Sequence, residues 1–187
     1  MTKGKVKFVL IFMIFILTGP VHSGKTTLLK KVIRELKKQK LRIDGFLSEA
    51  VVENETTIGY DLFDLKEGSS IPFIRRKGER EWEKIGPFFF IPQSLAEAKR
   101  IILCGEYSDI RFVDEVGPLE LAGTGFWPAL EQVVFRSSTR CFLVVRENIL
   151  ERFLEKLQGC DVKVFKIEDE DLYSQMIKEL KKAVPVK

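Results

Sequence analysis

The sequence has few of the residues that build disulfide scaffolds or zinc sites. Among 187 residues it contains three cysteines and one histidine, with no Cys-x-x-Cys pair and no Cys/His cluster. An odd number of cysteines cannot pair completely within one chain, and a zinc site needs several such ligands close together. This content argues against a disulfide-rich secreted fold and favours a reducing, cytoplasmic compartment. Cys104, Cys141 and Cys160 are expected to be buried thiols.

A hydrophobic run long enough to cross a membrane is also lacking. The apolar run Phe8 to Leu17 has ten residues, whereas a membrane-spanning helix needs about 20. Lys3, Lys5 and Lys7 precede it, as in the charged region of a signal peptide, but no small-residue cleavage site follows. A strand buried inside a parallel sheet has the same continuous apolar sequence. We favour the buried strand and no membrane association, with a targeting segment as the alternative.

Neither sign of charge dominates the chain. It has 31 Lys and Arg against 27 Asp and Glu, a net charge of +4, and the basic residues are interspersed with acidic ones. Such a balance is compatible with a nucleic-acid partner but does not indicate one. Lys and Glu outnumber Asn and Gln, a bias typical of thermophilic proteins. Without repeats, low-complexity segments or linkers, one domain over 1–187 and a monomer are expected.

One local pattern is complete at every fixed position. The segment Gly19-Pro20-Val21-His22-Ser23-Gly24-Lys25-Thr26 fits G-x-x-x-x-G-K-[ST], the Walker A pattern of a phosphate loop. Its glycines let the backbone fold around an anion, so that successive N–H groups point at phosphate oxygens, and the helix that follows adds its positive end. We expect Gly19 to Thr27 to bind nucleotide, Lys25 to reach the β- and γ-phosphates, and the Thr26 hydroxyl to bind Mg²⁺. His22 is expected to be solvated or structural, with a catalytic role as the alternative.

Hydrophobic periodicity predicts an α/β fold. The chain after residue 92 alternates strand and helix at βαβ spacing, which is typical of a parallel sheet with helices on both faces. The section 42–91 has strands separated by tight turns, which predicts an antiparallel extension of that sheet. Within it, the polar residues 76–86 are expected to lie outside the core. The predicted fold is therefore a three-layer P-loop type with a mainly parallel central sheet. The predicted strands are 8–17, 42–53, 56–65, 71–75, 87–91, 110–113, 141–145 and 162–167, and the predicted helices are 25–39, 93–103, 125–135, 149–157 and 171–183.

A second motif follows a predicted strand. Ile110-Arg111-Phe112-Val113 is followed by Asp114 and Glu115, the arrangement of a Walker B element. Asp114 would hold Mg²⁺, and Glu115 could polarise an attacking water as a general base. The separation of 88 positions from Thr26 to Asp114 leaves room for an additional strand between the two motif strands. That arrangement, with a Glu beside the Asp, is typical of P-loop ATPases that activate water.

Three segments, taken in order, carry a resemblance to a known family. They are GPVHSGKTTLLKKV, DGFLSEAVVENETTIGYDLFDL and VDEVGPLEL. The chain resembles the small nucleoside-triphosphatases described first in thermophiles, which include a cancer-related human relative, and the likeness runs from about Phe8 to the last helix. It implies slow, Mg²⁺-dependent hydrolysis of several nucleoside triphosphates to diphosphates with loose base selection. It also implies Gly19 to Thr26 as the phosphate loop, Asp114 for metal and Glu115 for water, while Glu120 lies in the matching motif without an assigned role.

The basic side chains outside the phosphate loop have more than one possible role. Arg146 follows the strand 141–145 and should lie at the sheet edge of Asp114, where open α/β sheets bind ligands. It is a candidate catalytic cation, with a salt bridge beside Glu147 as the alternative. A basic cluster near 76–86 is a solvated loop, a lid over the phosphates or a nucleic-acid patch. Its members are Arg75, Arg76, Lys77 and Arg80.

The sequence says little about which nucleobase the nucleotide carries. No N-K-x-D guanine signature occurs, which argues against a dedicated regulatory GTPase and agrees with loose selectivity. Four aromatic residues are candidates for a base platform, although each could equally be packing: Phe46, Trp82, Phe126 and Trp127. The predicted function is Mg²⁺-dependent hydrolysis of ATP, GTP, CTP and UTP. The alternatives are a P-loop kinase with a small acceptor or nucleic acid, and a nucleotide-dependent binding switch.

Overall fold

The described part of the chain folds around one sheet of nine strands. A computed structural model describes residues 13–104, 108–136 and 139–184. The strands are β1 Met13–Thr18, β2 Ile43–Glu53, β3 Thr56–Asp64, β4 Ser70–Arg75, β5 Lys84–Ile85, β6 Phe88–Phe90, β7 Ile110–Val116, β8 Arg140–Val145 and β9 Asp161–Lys166. The helices are α1 Lys25–Lys38, α2 Pro92–Cys104, α3 Pro118–Leu121, α4 Trp127–Arg136, α5 Leu150–Lys156 and α6 Leu172–Ala183, with a 3-10 turn at Glu147–Ile149.

The sheet has a parallel half and an antiparallel half. Its order is β5-β6-β4-β3-β2-β7-β8-β1-β9, and the neighbours from β2 to β9 pair in parallel, whereas those from β2 to β5 pair antiparallel. This confirms the predicted parallel sheet with an extension from the middle of the chain. β8 lies between β1 and β7, so the additional strand between the motif strands comes from later in the chain, not from the residues that separate the motifs.

Helices cover both faces of the sheet, as the three-layer prediction requires. Successive residues of β1 alternate between the two layers: Ile14 and Ile16 pack with α2, α4 and α5, while Phe15 and Leu17 pack with α1 and α6. Both faces of β1 are therefore buried, which explains its continuous apolar sequence. The predicted residues 8–12 of this strand lie outside the described residues.

Gly45 is required where β2 meets β7. Its φ is +99°, and a Cβ there would lie 1.8 Å from the carbonyl oxygen of Phe112. A larger residue would push apart the two strands at the junction of the parallel and antiparallel halves.

Two expectations about exposure are wrong. The segment 76–86 is not wholly outside the core, because Ile85 on β5 is buried and packs with the α2 side of the sheet. Only Cys141 of the three thiols is buried, since Cys104 ends α2 in an exposed position and Cys160 is half-buried after α5. Within the described residues, no helix is both long and apolar enough to cross a membrane.

A buried ion pair joins β7 to β2, the strand at which the parallel and antiparallel halves of the sheet meet. The Arg111 guanidinium on β7 donates from Nε and Nη2 to the two carboxylate oxygens of Asp44 on β2, at 3.0 and 3.1 Å. Both side chains are nearly inaccessible, with 2% and 9% exposed. Because neither charge is hydrated at this depth, each is stabilised by its partner.

We expect Asp44→Ala to lower the free energy of unfolding by about 3–5 kcal/mol, because it leaves the Arg111 charge buried without a partner. Urea unfolding measures the change. The exposed pair Arg100–Glu97 gives a matched control, and Arg100→Ala should cost less than about 1 kcal/mol. Equal losses in the two variants would contradict the importance of the buried pair.

Candidate functional site

The phosphate loop lies between β1 and α1 and is shaped by its two glycines. Gly19 has φ +150°, and a Cβ there would lie 2.3 Å from Cγ2 of Ile167. Gly24 caps α1 with φ +84°, a left-handed conformation that costs glycine little. His22 shares the left-handed conformation at φ 62° and is exposed. The loop therefore curves around the amino end of α1, where backbone N–H groups attract anions.

Lys25 folds back over this loop. Its ammonium group donates to the carbonyl oxygens of Gly19 at 3.0 Å and Pro20 at 2.6 Å, and to the Ser23 hydroxyl at 3.4 Å. Partial burial lowers the pKa of Lys25, while the negative charges of Glu115 and Asp114 act in the opposite direction. The ammonium group is thus held within the loop, close to two carboxylates.

Asp114 is fully buried at the end of β7 and connects three elements. Its Oδ2 accepts from the Thr26 hydroxyl on α1 at 3.0 Å and from the Ser48 N–H on β2 at 3.2 Å. Burial and the nearby Glu115 charge raise the pKa of Asp114 to about 7, opposed by these hydrogen bonds.

The second carboxylate oxygen of Asp114 is suited to a metal ion. Oδ1 of Asp114 and Oγ of Ser48 are buried and have no hydrogen-bond partner in the described part of the chain. Unpaired buried polar atoms are costly, and oxygen ligands are what Mg²⁺ prefers. Together with the Thr26 hydroxyl, these atoms fit a hard divalent cation that also binds phosphate. No cluster of three or more His, Cys, Asp or Glu side chains with metal-site geometry occurs among residues 13–104, 108–136 and 139–184.

Glu115 turns into the same cleft because the backbone departs from strand geometry. Its φ is 67°, and the pairing of β7 with β8 shifts register between Val113 and Val116. Glu115 Oε2 accepts from Nε and Nη2 of Arg146 at 3.2 and 3.1 Å. The Arg146 N–H in turn donates to the Val116 carbonyl at 3.2 Å. Arg146 thus lies beside the end of β7, and it is salt-bridged, as the alternative interpretation had it, but to Glu115.

One cleft of about 950 Å³ is lined by most of these groups, whereas the fully buried Asp114 is not among its lining residues. The lining includes every residue from Gly19 to Thr27, together with Glu115 and Arg146. It also includes residues that the sequence did not single out as site candidates, among them Thr57, Tyr60 and Phe88.

The aromatic residues predicted for the base are not at the cleft. Phe46, Phe126 and Trp127 are buried in the core, where Phe126 packs edge-to-face on Phe46 at 5.7 Å between ring centroids. Half-buried Trp82 is not among the lining residues. The cleft aromatics are Tyr60 and Phe88 instead, 5.7 Å apart. No local sequence pattern distinguishes Tyr60 and Phe88 from aromatic residues of the core. Long-range strand pairing decides which face of an antiparallel strand borders the cleft.

The basic cluster divides into residues with different surroundings. Arg75 pairs with Asp61 at 2.5 Å and donates to the Tyr60 carbonyl at 2.7 Å. Arg76 lines the cleft, with its guanidinium carbon 5.1 Å from the Phe88 ring centroid. Lys77 and Arg80 are exposed.

Glu120 is a buried carboxylate just behind the site. Its oxygens accept from the backbone N–H of Gly117 at 2.9 Å and of Phe126 at 3.3 Å. Burial raises the pKa of Glu120 to about 7, the backbone donors oppose this, and the Glu83 charge adds to it. Glu120 thereby fixes the turn that follows Glu115.

The fold and the cleft define a class of protein. A glycine-containing loop before α1, a lysine within it, and an aspartate at the end of a neighbouring parallel strand together characterise P-loop nucleoside-triphosphatases.

Comparisons with known proteins identify the family. A family model described as NTPase matches residues 14–178. Nucleoside-triphosphatase THEP1 of Ignicoccus hospitalis is 30% identical over 90% of this chain and 97% of its own length. The cancer-related nucleoside-triphosphatase homolog of Mus musculus is 30% identical over 81% of this chain and 86% of its own length. The chain therefore belongs to this nucleoside-triphosphatase family, and it is an enzyme of that type.

A solved structure supports the fold independently. The solution structure of a human cancer-related nucleoside triphosphatase superposes with a TM-score of 0.68 and 24% identity, covering 91% of this chain and 96% of that one.

We expect Glu120→Gln to weaken the pH dependence of stability. The pKa of Glu120 is about 7 in the folded protein against an ordinary 4.5, so between these values the folded state retains a proton that the unfolded chain has released. The free energy of unfolding therefore falls as pH rises through this interval.

Urea unfolding from about pH 5 to 8 should show a smaller fall for Glu120→Gln than for the wild type. Part of the fall will remain, since the pKa of Asp114 is also raised. Glu131→Gln, at an exposed position on α4, should retain the wild-type slope. An unchanged slope in Glu120→Gln would show that this carboxyl does not titrate in the interval.

Proposed function

We propose that the protein hydrolyses nucleoside triphosphates, including ATP, GTP, CTP and UTP, to diphosphates and phosphate in a Mg²⁺-dependent reaction. The observation that carries the proposal is that Lys25, Thr26 and Glu115 line one cleft, with Asp114 hydrogen-bonded to Thr26. Family membership supports the reaction class. The metal, the range of nucleotides and the residue roles below are part of the proposal.

The phosphates bind to the loop. Backbone N–H groups between Gly19 and Thr26 receive the β-phosphate, and the Lys25 ammonium moves from the loop carbonyls to the β- and γ-oxygens. Charge spreads over the γ-oxygens in a loose transition state, so a fixed cation here stabilises the transition state.

Thr26 and Asp114 hold the metal, aided by Ser48. Bound Mg²⁺ would neutralise charge on the β- and γ-oxygens. The unpaired Oδ1 of Asp114 and Oγ of Ser48 support this assignment.

Glu115 orients water for in-line attack and accepts its proton. As the water oxygen bonds to the γ-phosphorus, the bond from phosphorus to the β,γ-bridging oxygen breaks, and its electron pair stays on the diphosphate. Arg146 holds the Glu115 carboxylate in place through two N–H groups, and its charge lies near the transferred phosphate. An arginine engaged in this way is not free to act fully on the γ-phosphate, so we expect slow turnover.

Loose base selection fits the lack of an N-K-x-D signature in the sequence. We also propose that the protein acts as a monomer in the cytoplasm, where its three cysteines would stay reduced. A phosphate-release assay over ATP, GTP, CTP, UTP and their diphosphates, with Mg²⁺ varied, tests the overall proposal. Phosphate release from only one of the four nucleoside triphosphates would contradict loose base selection.

We expect Glu115→Gln and Asp114→Asn to fail in different ways. Glu115→Gln removes the proton acceptor but none of the proposed metal ligands, so triphosphate and Mg²⁺ should still bind while hydrolysis drops by roughly 10²–10⁴. Asp114→Asn should raise the Mg²⁺ concentration needed for half-maximal rate. Mg²⁺ titrations of both variants make the comparison, and near wild-type hydrolysis by Glu115→Gln would exclude Glu115 as the base.

We expect Lys25→Ala to abolish hydrolysis and to weaken triphosphate binding more than nucleoside binding, because only the phosphates contact this ammonium group. Lys31→Ala, an exposed position on the same helix, is the matched control. Equilibrium binding and phosphate release measure both effects. Full activity in folded Lys25→Ala would contradict the proposed site.

A further inference from the structure

The cleft extends well beyond the phosphate loop. From the loop it passes the ends of β8 and β7, crosses β2, and reaches β3 and the turn before β6. Its remote end, called the far wall below, consists of Thr57, Tyr60, Arg76 and Phe88. The volume of about 950 Å³ is near the top of the ~300–1,000 Å³ typical of ligand sites.

The far wall adjoins the Glu115–Arg146 pair. A Cβ at Gly117 would lie 3.5 Å from Nε of Arg146 and 3.6 Å from Cδ1 of Ile85, so the chain leading to Phe88 passes beside that pair. Burial raises the pKa of Tyr60, and the charges of Glu115 and Arg146 also act on it, in opposite directions. Tyr60 lines the same cleft as both of them.

A bound nucleotide would not fill this end of the cleft. In the proposed function, on which this step rests, the γ-phosphate lies between Lys25 and Glu115. The nucleoside is attached two phosphates away, on the side opposite to Glu115. The far wall then lies on the Glu115 side of the γ-phosphate, the side from which the nucleophile is proposed to arrive.

The far wall has the chemistry to bind a planar ring with polar edges. Tyr60 and Phe88 pack edge-to-face with ring centroids 5.7 Å apart. Arg76 donates from Nε to the Thr57 carbonyl at 2.7 Å, while neither its terminal nitrogens nor the Tyr60 hydroxyl has a hydrogen-bond partner within the described residues. Aromatic surfaces stack on any nucleobase, and a guanidinium can donate to ring nitrogen and carbonyl acceptors.

We propose that the far wall is an acceptor subsite for a nucleoside, and that the enzyme transfers the γ-phosphoryl group to a nucleoside hydroxyl in competition with water. A neutral acceptor fits better than a phosphorylated one, because a second anion at the γ-phosphate would meet the Glu115 carboxylate.

The transfer step balances without a further reactant. The acceptor hydroxyl oxygen bonds to the γ-phosphorus, and the bond from phosphorus to the β,γ-bridging oxygen breaks. The electron pair of that bond stays on the departing nucleoside diphosphate. The hydroxyl proton passes to the Glu115 carboxylate and then to solvent, which leaves a nucleoside monophosphate.

The experiment uses the full-length protein, Mg²⁺ and ATP labelled at the γ-phosphate. Adenosine, guanosine, cytidine, uridine and thymidine are each added, and labelled phosphate and labelled nucleoside monophosphate are counted separately. We expect labelled monophosphate from at least one nucleoside. The ratio of transferred to hydrolysed label should fall about tenfold or more in Arg76→Ala, the loss typical of one base contact.

Lys77→Ala, an exposed neighbour outside the cleft lining, is the matched control and should keep the wild-type ratio. The ratio separates acceptor binding from folding, since both products need the same active enzyme. Equal ratios in Arg76→Ala and Lys77→Ala would overturn the far wall as the subsite.

The other outcomes separate this inference from the proposed function. Phosphate release with no labelled monophosphate would overturn the acceptor subsite and leave hydrolysis intact. Transfer to a nucleoside without phosphate release in its absence would support the subsite and overturn hydrolysis as the main reaction. In a parallel arm, nucleoside monophosphates replace nucleosides, and preferred formation of labelled diphosphate would overturn the neutral acceptor.

Discussion

Burial of the Asp114 carboxylate is the constraint on which the site depends. A carboxylate without water must be satisfied by hydrogen bonds or a cation. One oxygen is satisfied by donors from α1 and β2, at 3.0 and 3.2 Å. Because these donors come from distant parts of the chain, the phosphate loop, β2 and β7 are fixed relative to one another. The other oxygen has no hydrogen-bond partner among the described residues, so they satisfy only half of this buried carboxylate.

The backbone directly after Asp114 departs from regular strand geometry. Successive side chains of a strand point to opposite faces of the sheet. The left-handed Glu115, at φ 67°, breaks this alternation, and Glu115 lines the same cleft as Thr26, the hydrogen-bond partner of Asp114. Such a conformation is unfavourable for glutamate, and it persists because the structure around it is fixed. Val116 resumes pairing with β8, and the Arg146 N–H binds its carbonyl.

Features that depend on neighbouring residues could be predicted from the sequence, whereas features that depend on distant pairing could not. The phosphate loop, α1 and the ends of β7 and β8 follow from local patterns, and parallel strands bring their carboxyl ends together. Tyr60 and Phe88 reach the cleft only because β3 and β6 flank β4 in the antiparallel half. Phe46 and Phe126 are the same kind of residue, yet they pack on each other in the core. Composition does not distinguish the two outcomes, because the face that each strand presents is decided by register.

The antiparallel half forms part of the site as well as an edge of the sheet. Glu83, just before β5, accepts from the Gly125 N–H at 3.1 Å, and Glu120 accepts from the adjacent Phe126 N–H and from Gly117. Two carboxylates thus join the segment that leads to Phe88 to the turn that follows Glu115. Ile85, buried in the same segment, anchors it to the core. The segment that leads to Phe88 and the turn that follows Glu115 are therefore held against each other by hydrogen bonds and by a buried side chain.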